Sequence, residues 1–207
     1  MPGLFISLEG IDGSGKSTQG KRLAETLRAQ GRAVTLTREP GGSPGAEEIR
    51  RLVLEGATDR WSAETEILLF TAARRDHLEK TIRPALARGE VVITDRFADS
   101  TRIFQGITRG ELSDTVDRLH ALMIGLEPDL TLLFDLDPKI GLSRANARAG
   151  KELRFEDMGL AFQQRARAGF LALAGQHPRF RIIDADADPD TVAARVWAAV
   201  TPELPPA

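Results

Sequence analysis

Residues 10–18 read Gly10-Ile11-Asp12-Gly13-Ser14-Gly15-Lys16-Ser17-Thr18 and satisfy G-x-x-x-x-G-K-[ST] at every fixed position. Before this segment lies a compact apolar run, 4–8, that reads as a strand. After it, 16–30 carries apolar residues at the three- and four-residue spacing of a helix. The glycines let the backbone wrap closely around phosphate oxygens with its N–H groups turned inward, and the helix that starts near Gly15 adds the positive end of its dipole. In such a loop Lys16 reaches the β- and γ-phosphates, and the Ser17 hydroxyl is placed to ligate Mg2+. A dinucleotide-binding G-x-G-x-x-G counted from Gly13 fails, because Thr18 stands where the last glycine must be. The segment predicts a nucleoside-triphosphate site.

Outward from the loop, short apolar runs alternate with longer helical stretches. The runs 4–8, 33–37, 91–94, 130–134 and 180–183 have the Val, Ile, Leu and Phe content of strands buried on both faces of a parallel sheet. Helical spacing covers 16–30, 46–55, 63–87, 113–125, 138–149, 155–175 and 189–199. This alternation predicts an α/β doubly wound fold of the P-loop NTPase type, five parallel strands with helices on both faces. No repeat and no Pro-, Gly- or Ser-rich linker divides the 207 residues, so one domain spanning 1–207 is expected. The polar, small stretch 147–151 suits a mobile lid over about 144–157, and the proline-rich end from about 202 is expected to fray.

Composition narrows the function classes. An apolar fraction of 42%, a charged fraction of 28% and a net charge of −2 give no basis for general nucleic-acid or membrane binding. There is no cysteine, which excludes disulfides and thiolate metal sites. The first residues lack a basic n-region, and no apolar stretch nears the roughly 18 residues of a spanning helix, so the cytoplasm is expected. Lysine occurs only at positions 16, 21, 80, 139 and 151, so nearly all positive charge is arginine and an isolated arginine carries little information.

The kind of triphosphate site follows from what surrounds it. A regulatory GTPase would carry N-K-x-D, but the sole asparagine is Asn146, followed by Ala147. The third apolar run ends in Asp95 and continues into Arg96, where a cation suits a second phosphate. Asp135 ends the fourth run in the same way. Either aspartate could assist a metal through water, and the neighbouring Arg96 favours Asp95.

Several segments together resemble the thymidylate kinases, particularly the bacterial type. They are the phosphate loop, Arg38-Glu39-Pro40-Gly41-Gly42, Leu69-Phe70-Thr71-Ala72-Ala73-Arg74-Arg75, Asp95-Arg96-Phe97, Ser100-Thr101-Arg102-Ile103-Phe104-Gln105-Gly106 and Pro128-Asp129-Leu130-Thr131. In order and spacing they cover almost the whole chain. The resemblance implies an ATP-dependent, Mg2+-requiring kinase that phosphorylates dTMP to dTDP on the route to dTTP, working as a homodimer.

It also implies roles for the matching positions. Phe70 stacks on thymine, and Arg74, one turn on, hydrogen-bonds the O4 that cytosine lacks. Thr101 and Gln105 complete the base edge, and Phe104 presses against C2′ of the sugar. Arg96, with Arg50, grips the acceptor phosphate. Asp12 points toward the 3′-hydroxyl, and Glu39, held extended by Pro40, orients Arg96 or the Mg2+ water shell. Some members carry an arginine within the phosphate loop, where this chain has Gly13. The missing charge is therefore expected from the lid, with Arg148 first, Arg154 second, and Arg144 stacking on adenine. Phe97 and Phe104 stand where many relatives carry tyrosine (or histidine at 97), and Arg102 replaces a smaller residue. His77, His120 and His177 match no ligand or base motif and are expected to be structural or surface residues. Another nucleoside-monophosphate kinase of the same fold is the nearest alternative.

Overall fold

The apolar runs become β1 (Phe5–Glu9), β2 (Val34–Arg38), β3 (Val91–Asp95), β4 (Leu130–Asp135) and β5 (Phe180–Asp184) in a computed structural model that describes residues 3–57, 60–108, 110–147 and 159–205. All pairings are parallel and the strand order is β2-β3-β1-β4-β5. Ile6 sits beside Ile93 on one side and Leu130 on the other. The three central strands are buried on both faces, as expected of a parallel sheet covered by helices. The edge strands depart from that expectation. β2 is only partly buried, and β5 leaves Ile182 56% exposed, because an edge has a neighbour on one side alone.

The chain reverses direction across the sheet between β1 and β3. Loops leaving the C-terminal ends of two adjacent strands part there and open a crevice. Gly10, Glu39 and Arg96 each follow the last residue of a strand, so β1, β2 and β3 deliver them to one rim.

Around the sheet lie α1 (Lys16–Ala29), α2 (Pro44–Leu54), α3 (Ala63–His77), α4 (Arg83–Ala87), α5 (Ala98–Thr101), α6 (Ser113–Met123), α7 (Pro138–Asn146), α8 (Gly159–Gln176) and α9 (Pro189–Val200). Ser62 accepts from Thr65 N–H to start α3, and Asp188 accepts from Asp190 and Thr191 N–H to start α9. A π-helical turn, Leu78–Ile82, joins α3 to α4. This wider turn lets the helix pass Pro84, which lacks an N–H and crowds the preceding turn.

The segment from α5 through a second π-helical stretch, Arg102–Ile107, carried no helical expectation. The reason is visible in its burial: Ala98, Asp99, Ser100, Thr101, Ile103, Phe104, Gln105 and Gly106 are all buried, so no apolar stripe stands against a polar face. Asp99 is satisfied there by Arg102 at 2.8 Å and Arg179 at 2.7 Å. The larger core cluster packs Leu8, Ile93 and Leu132 with helices α1, α8 and α9. A smaller one gathers Phe5, Val92 and Phe97 with Leu78 and Ile82.

The C-terminal stretch expected to fray is held as far as Pro205. Leu204 packs on the main core, Arg181 pairs with Glu203 at 2.9 Å, and Arg32 Nη2 donates to the Pro205 carbonyl at 2.9 Å. Of the expected lid, Arg144 lies in the last turn of α7, whereas Arg148 and Arg154 lie outside the described residues. No helix among those described is long and apolar enough to cross a membrane.

Candidate active site

The loop after β1 turns on three left-handed glycines, Gly10 (φ 137°), Gly13 (φ 76°) and Gly15 (φ 91°). Gly13 is required twice over: a Cβ there would lie 2.0 Å from the Gly141 carbonyl oxygen, where α7 packs backbone to backbone against the loop. An arginine inside the loop has no room at this position. Lys16 Nζ donates to the carbonyls of Gly10 (3.0 Å) and Ile11 (2.7 Å) and to Ser14 Oγ (3.3 Å). Burial, joined by the positive charge of Arg96, brings its ammonium down to about 8. Ser17 Oγ donates to Asp95 Oδ2. Asp135, the rival aspartate, is instead held by Arg167 at 2.7 and 2.8 Å. The tertiary fold thus separates two sites that look alike in sequence.

Arg96 is the sole non-glycine residue with positive φ (72°) among those described. That conformation costs about 1–3 kcal/mol and persists where its surroundings over-determine it. Its N–H donates to the Leu8 carbonyl at 2.9 Å, extending the β1–β3 ladder by one bond. Its guanidinium donates to the Gly10 carbonyl (3.0 Å), Ser100 Oγ (3.0 Å) and Asp12 Oδ1 (2.6 Å), and lies 5.0 Å over the Phe104 ring. Gln163 Nε2, from α8, donates to the other Asp12 oxygen at 3.0 Å. Burial would raise the Asp12 carboxyl; Arg96, Lys16 and these bonds outweigh it and hold the group below its ordinary value. Beneath them Glu9, fully buried at the end of β1, accepts from Phe97 N–H (2.8 Å) and Ser100 Oγ (2.6 Å). Burial and the nearby Asp99 push it up to about 7.

The other half of the cavity lies between α3 and the 98–107 helical segment. Arg74 Nε donates to Glu39 Oε2 at 2.7 Å, and its Nη2 donates to Thr101 Oγ1 (3.0 Å) and the Phe97 carbonyl (3.2 Å). His77 Nδ1 lies 3.0 Å from the second Glu39 oxygen, and its Nε2 lies 2.7 Å from Thr37 Oγ1. Of the two roles expected for Glu39, orienting Arg96 or the Mg2+ water shell, neither is made directly here: both of its oxygens bond residues of α3, Arg74 and His77. Gln105 Nε2 donates to Glu66 Oε2 at 3.0 Å. Arg50 Nη1 reaches the Pro40 carbonyl at 2.6 Å and lines the cavity, whereas Arg51 is exposed. The enclosed volume is about 330 Å³, with Lys16 and Ser17 on one side and Phe70, Arg74 and Gln105 on the other.

A sequence model described as thymidylate kinase matches residues 8–196. The chain belongs to that family. It is 71% identical over 203 residues to the thymidylate kinase of Ruegeria pomeroyi, covering 98% of this chain and 96% of that protein. With the thymidylate kinase of Jannaschia sp. it shares 66% identity over 99% of each chain. The crystal structure of thymidylate kinase from Ehrlichia chaffeensis superposes with a TM-score of 0.78 at 35% identity, over 97% of this chain and 99% of that one.

Against this thymidylate kinase background, Asp12, Gly13, Gly15, Lys16, Ser17, Glu39, Arg50, Phe70, Arg74, Asp95, Arg96, Thr101, Phe104 and Gln105 all line this cavity. Gly10, Ile11 and Ser14 lie outside the lining and accept from Lys16, and Thr18 is exposed on α1. Phe104 spends most of its surface on packing, stacked on Phe162 at 5.7 Å and edge-on to Phe170 at 5.8 Å. Phe97 is fully buried beneath Arg74. Arg144 Nη1 lies 3.5 Å from the Ala185 carbonyl, in the loop after β5. His77 and His120 are buried and His177 is exposed.

Sequence reasoning missed Glu9, Glu66 and Gln163. Glu66 was within reach, because it precedes Phe70 by four residues, as Phe70 precedes Arg74, and all three share one helix face. Gln163 gave no local signal.

Proposed function

We infer that the chain is a dTMP kinase: an oxygen of the dTMP phosphate attacks the γ-phosphorus of ATP, the bond to the β–γ bridging oxygen breaks, and dTDP and ADP leave. The carrying observation is that one cavity joins the phosphate loop to an aromatic and arginine base site, with Arg96 between them. Transfer of this kind is a matter of alignment and positive charge. Lys16 is held by loop carbonyls, neutral partners weaker than the phosphates it would meet, and Arg96 divides its guanidinium among Gly10, Ser100 and Asp12. Phe70 stacks on the base, Arg74 and Gln105 face its edge, Arg50 and Arg96 take the acceptor phosphate, and Asp12 lies toward the sugar. No separate base is needed, because the acceptor phosphate is already anionic at neutral pH.

Ser17 and Asp95 are the residues that would hold Mg2+. Their oxygens suit a hard cation that takes most of its ligands from phosphate and water, so the absence of any larger acidic cluster among the described residues is no obstacle. When bound, Mg2+ neutralises charge on the β- and γ-phosphates. Arg148, with Arg154 second, is proposed to supply further charge from the lid, and Arg144 to stack on adenine. A homodimer through α3 and α6 is supported by Leu68 (58% exposed) on α3 and Leu122 (74%) and Met123 (44%) on α6.

An ADP-release assay with ATP and Mg2+ tests the function. Rapid turnover is expected with dTMP, weaker turnover with dUMP, since one methyl group is worth about 1–3 kcal/mol, and negligible turnover with dCMP, dGMP and UMP. Selective turnover of another monophosphate would retain the kinase and discard the thymine site.

A further inference from the structure

Two side-chain bridges connect α3 to the helical segment 98–107, and they bracket Phe70. Arg74 reaches Thr101 at one end, and Gln105 reaches Glu66 at the other. Glu66, Phe70 and Arg74 are spaced four residues apart, so they run along one face of α3. Any planar base against Phe70 therefore has its edge between a guanidinium and a primary amide.

Those two groups differ in what they can discriminate. A guanidinium only donates. A primary amide has two faces, one donating and one accepting, and by itself reads nothing. Thymine presents an O4 acceptor beside an N3–H donor. Cytosine presents the reverse, an amino donor beside a bare N3 acceptor. A site that accepts from N3 selects thymine; a site whose amide can turn over accommodates either base.

We propose that Glu66 is a specificity-positioning residue that locks the Gln105 amide with its carbonyl toward the base, making the chain reject cytosine monophosphates. The proposal rests on the dTMP-kinase reading above. Glu66 is fully buried, and Gln105 is 2% exposed. Gln105 Nε2 donates to Glu66 Oε2 at 3.0 Å, and because an ionised carboxylate only accepts, this bridge holds the amide nitrogen toward Glu66. The opposite orientation would set two acceptors against each other in a buried site, where an unmade hydrogen bond is expensive. Oε1 is left as the amide's remaining face in a residue that lines the cavity. Arg74 donates to O4 while Gln105 accepts from N3–H, and the two together spell thymine or uracil.

Glu66→Gln tests this directly. It is nearly isosteric, but an amide can donate as well as accept, so the two amides can invert together. kcat/KM for dCMP should rise at least tenfold while kcat for dTMP stays within about threefold. Gln105→Glu added to Glu66→Gln restores a one-way bridge, with the amide at position 66 donating and the carboxylate at position 105 accepting through both oxygens; the gain with dCMP should then disappear. A structural role for Glu66 would instead lower both acceptors together. An unchanged ratio of dTMP to dCMP in Glu66→Gln, or a gain that persists in the double variant, overturns the proposal. Lack of dTMP turnover in the unmodified chain would overturn the kinase reading itself, a different result from an unchanged ratio in an active enzyme.

Discussion

Replacing Glu9 by glutamine isolates a titration that lies under the phosphate site. In the folded chain Glu9 is held up to about 7, against an ordinary 4.5, by burial and by Asp99, with Arg96 opposing them. Between those two values the folded state keeps a proton that the unfolded chain has released. Stability from this group is therefore fully present below pH 4.5 and is lost as pH rises through about 7. One pKa unit is about 1.4 kcal/mol, so the 2.5-unit interval amounts to about 3 kcal/mol. Glutamine carries no titrating proton. It also turns an N–H2 toward one of the two donors that Glu9 satisfies, Phe97 N–H or Ser100 Oγ–H, at a penalty of about 1–3 kcal/mol. That penalty does not vary with pH, so it shifts the variant's curve without changing its slope. Urea unfolding at pH 4.5, 5.5, 6.5 and 8, followed by the fluorescence of Trp61 and Trp197, gives the stability of both chains. Glu9→Gln minus wild type should move by about 3 kcal/mol in favour of the variant from pH 4.5 to 8. Parallel curves would refute the reasoning, because they would mean that Glu9 titrates alike in the folded and unfolded chains.

Two further contrasts test the site. Asp95→Asn should lower kcat by about 10²–10³ and raise the Mg2+ concentration needed for half-maximal rate, whereas Asp135→Asn breaks a half-exposed pair with Arg167 and should cost under about 1 kcal/mol of stability and little rate; the reverse pattern in initial-rate assays would exchange the two aspartates. Gly13→Ala meets both a φ of 76° and the Gly141 carbonyl at 2.0 Å, while Gly31→Ala meets a similar φ of 80° with open space around it. Chemical denaturation should show about 1 kcal/mol lost at Gly31 and at least about 3 kcal/mol at Gly13, with ATP binding weakened at Gly13 alone; equal losses would mean that α7 does not constrain the loop.

The parts legible in sequence were those set by local chemistry. Glycines at fixed offsets between an apolar run and a helix specify the loop because its conformation depends on a few consecutive φ angles. Runs of Val, Ile and Leu specified strands because a sheet covered on both faces tolerates little else at its centre. Phe70 and Arg74 took their roles from the resemblance; their four-residue spacing adds that both lie on one face of α3. The 98–107 helix was not legible, because the polar side chains buried along it erase the amphipathic pattern. Residues 202–205 show a related limit: the prolines there say nothing of Arg32, whose guanidinium reaches across to the Pro205 carbonyl.

By itself, then, the chain's order of residues determined a parallel α/β sheet, a triphosphate loop at its rim and a thymidylate kinase pattern along nearly its whole length. The tertiary structure decided between alternatives that are chemically identical in sequence. Asp95 and Asp135 end similar strands, and only the strand order sets one beside Ser17 and the other beside Arg167. Glu39 was expected to face Arg96 or the Mg2+ water shell, and both of its oxygens bond residues of α3, Arg74 and His77. The direction of the Gln105 amide depends on a carboxylate 39 residues away. A hydrogen bond is set by distance and by which atom donates, and for side chains so far apart in sequence both are fixed only when the elements that carry them have packed.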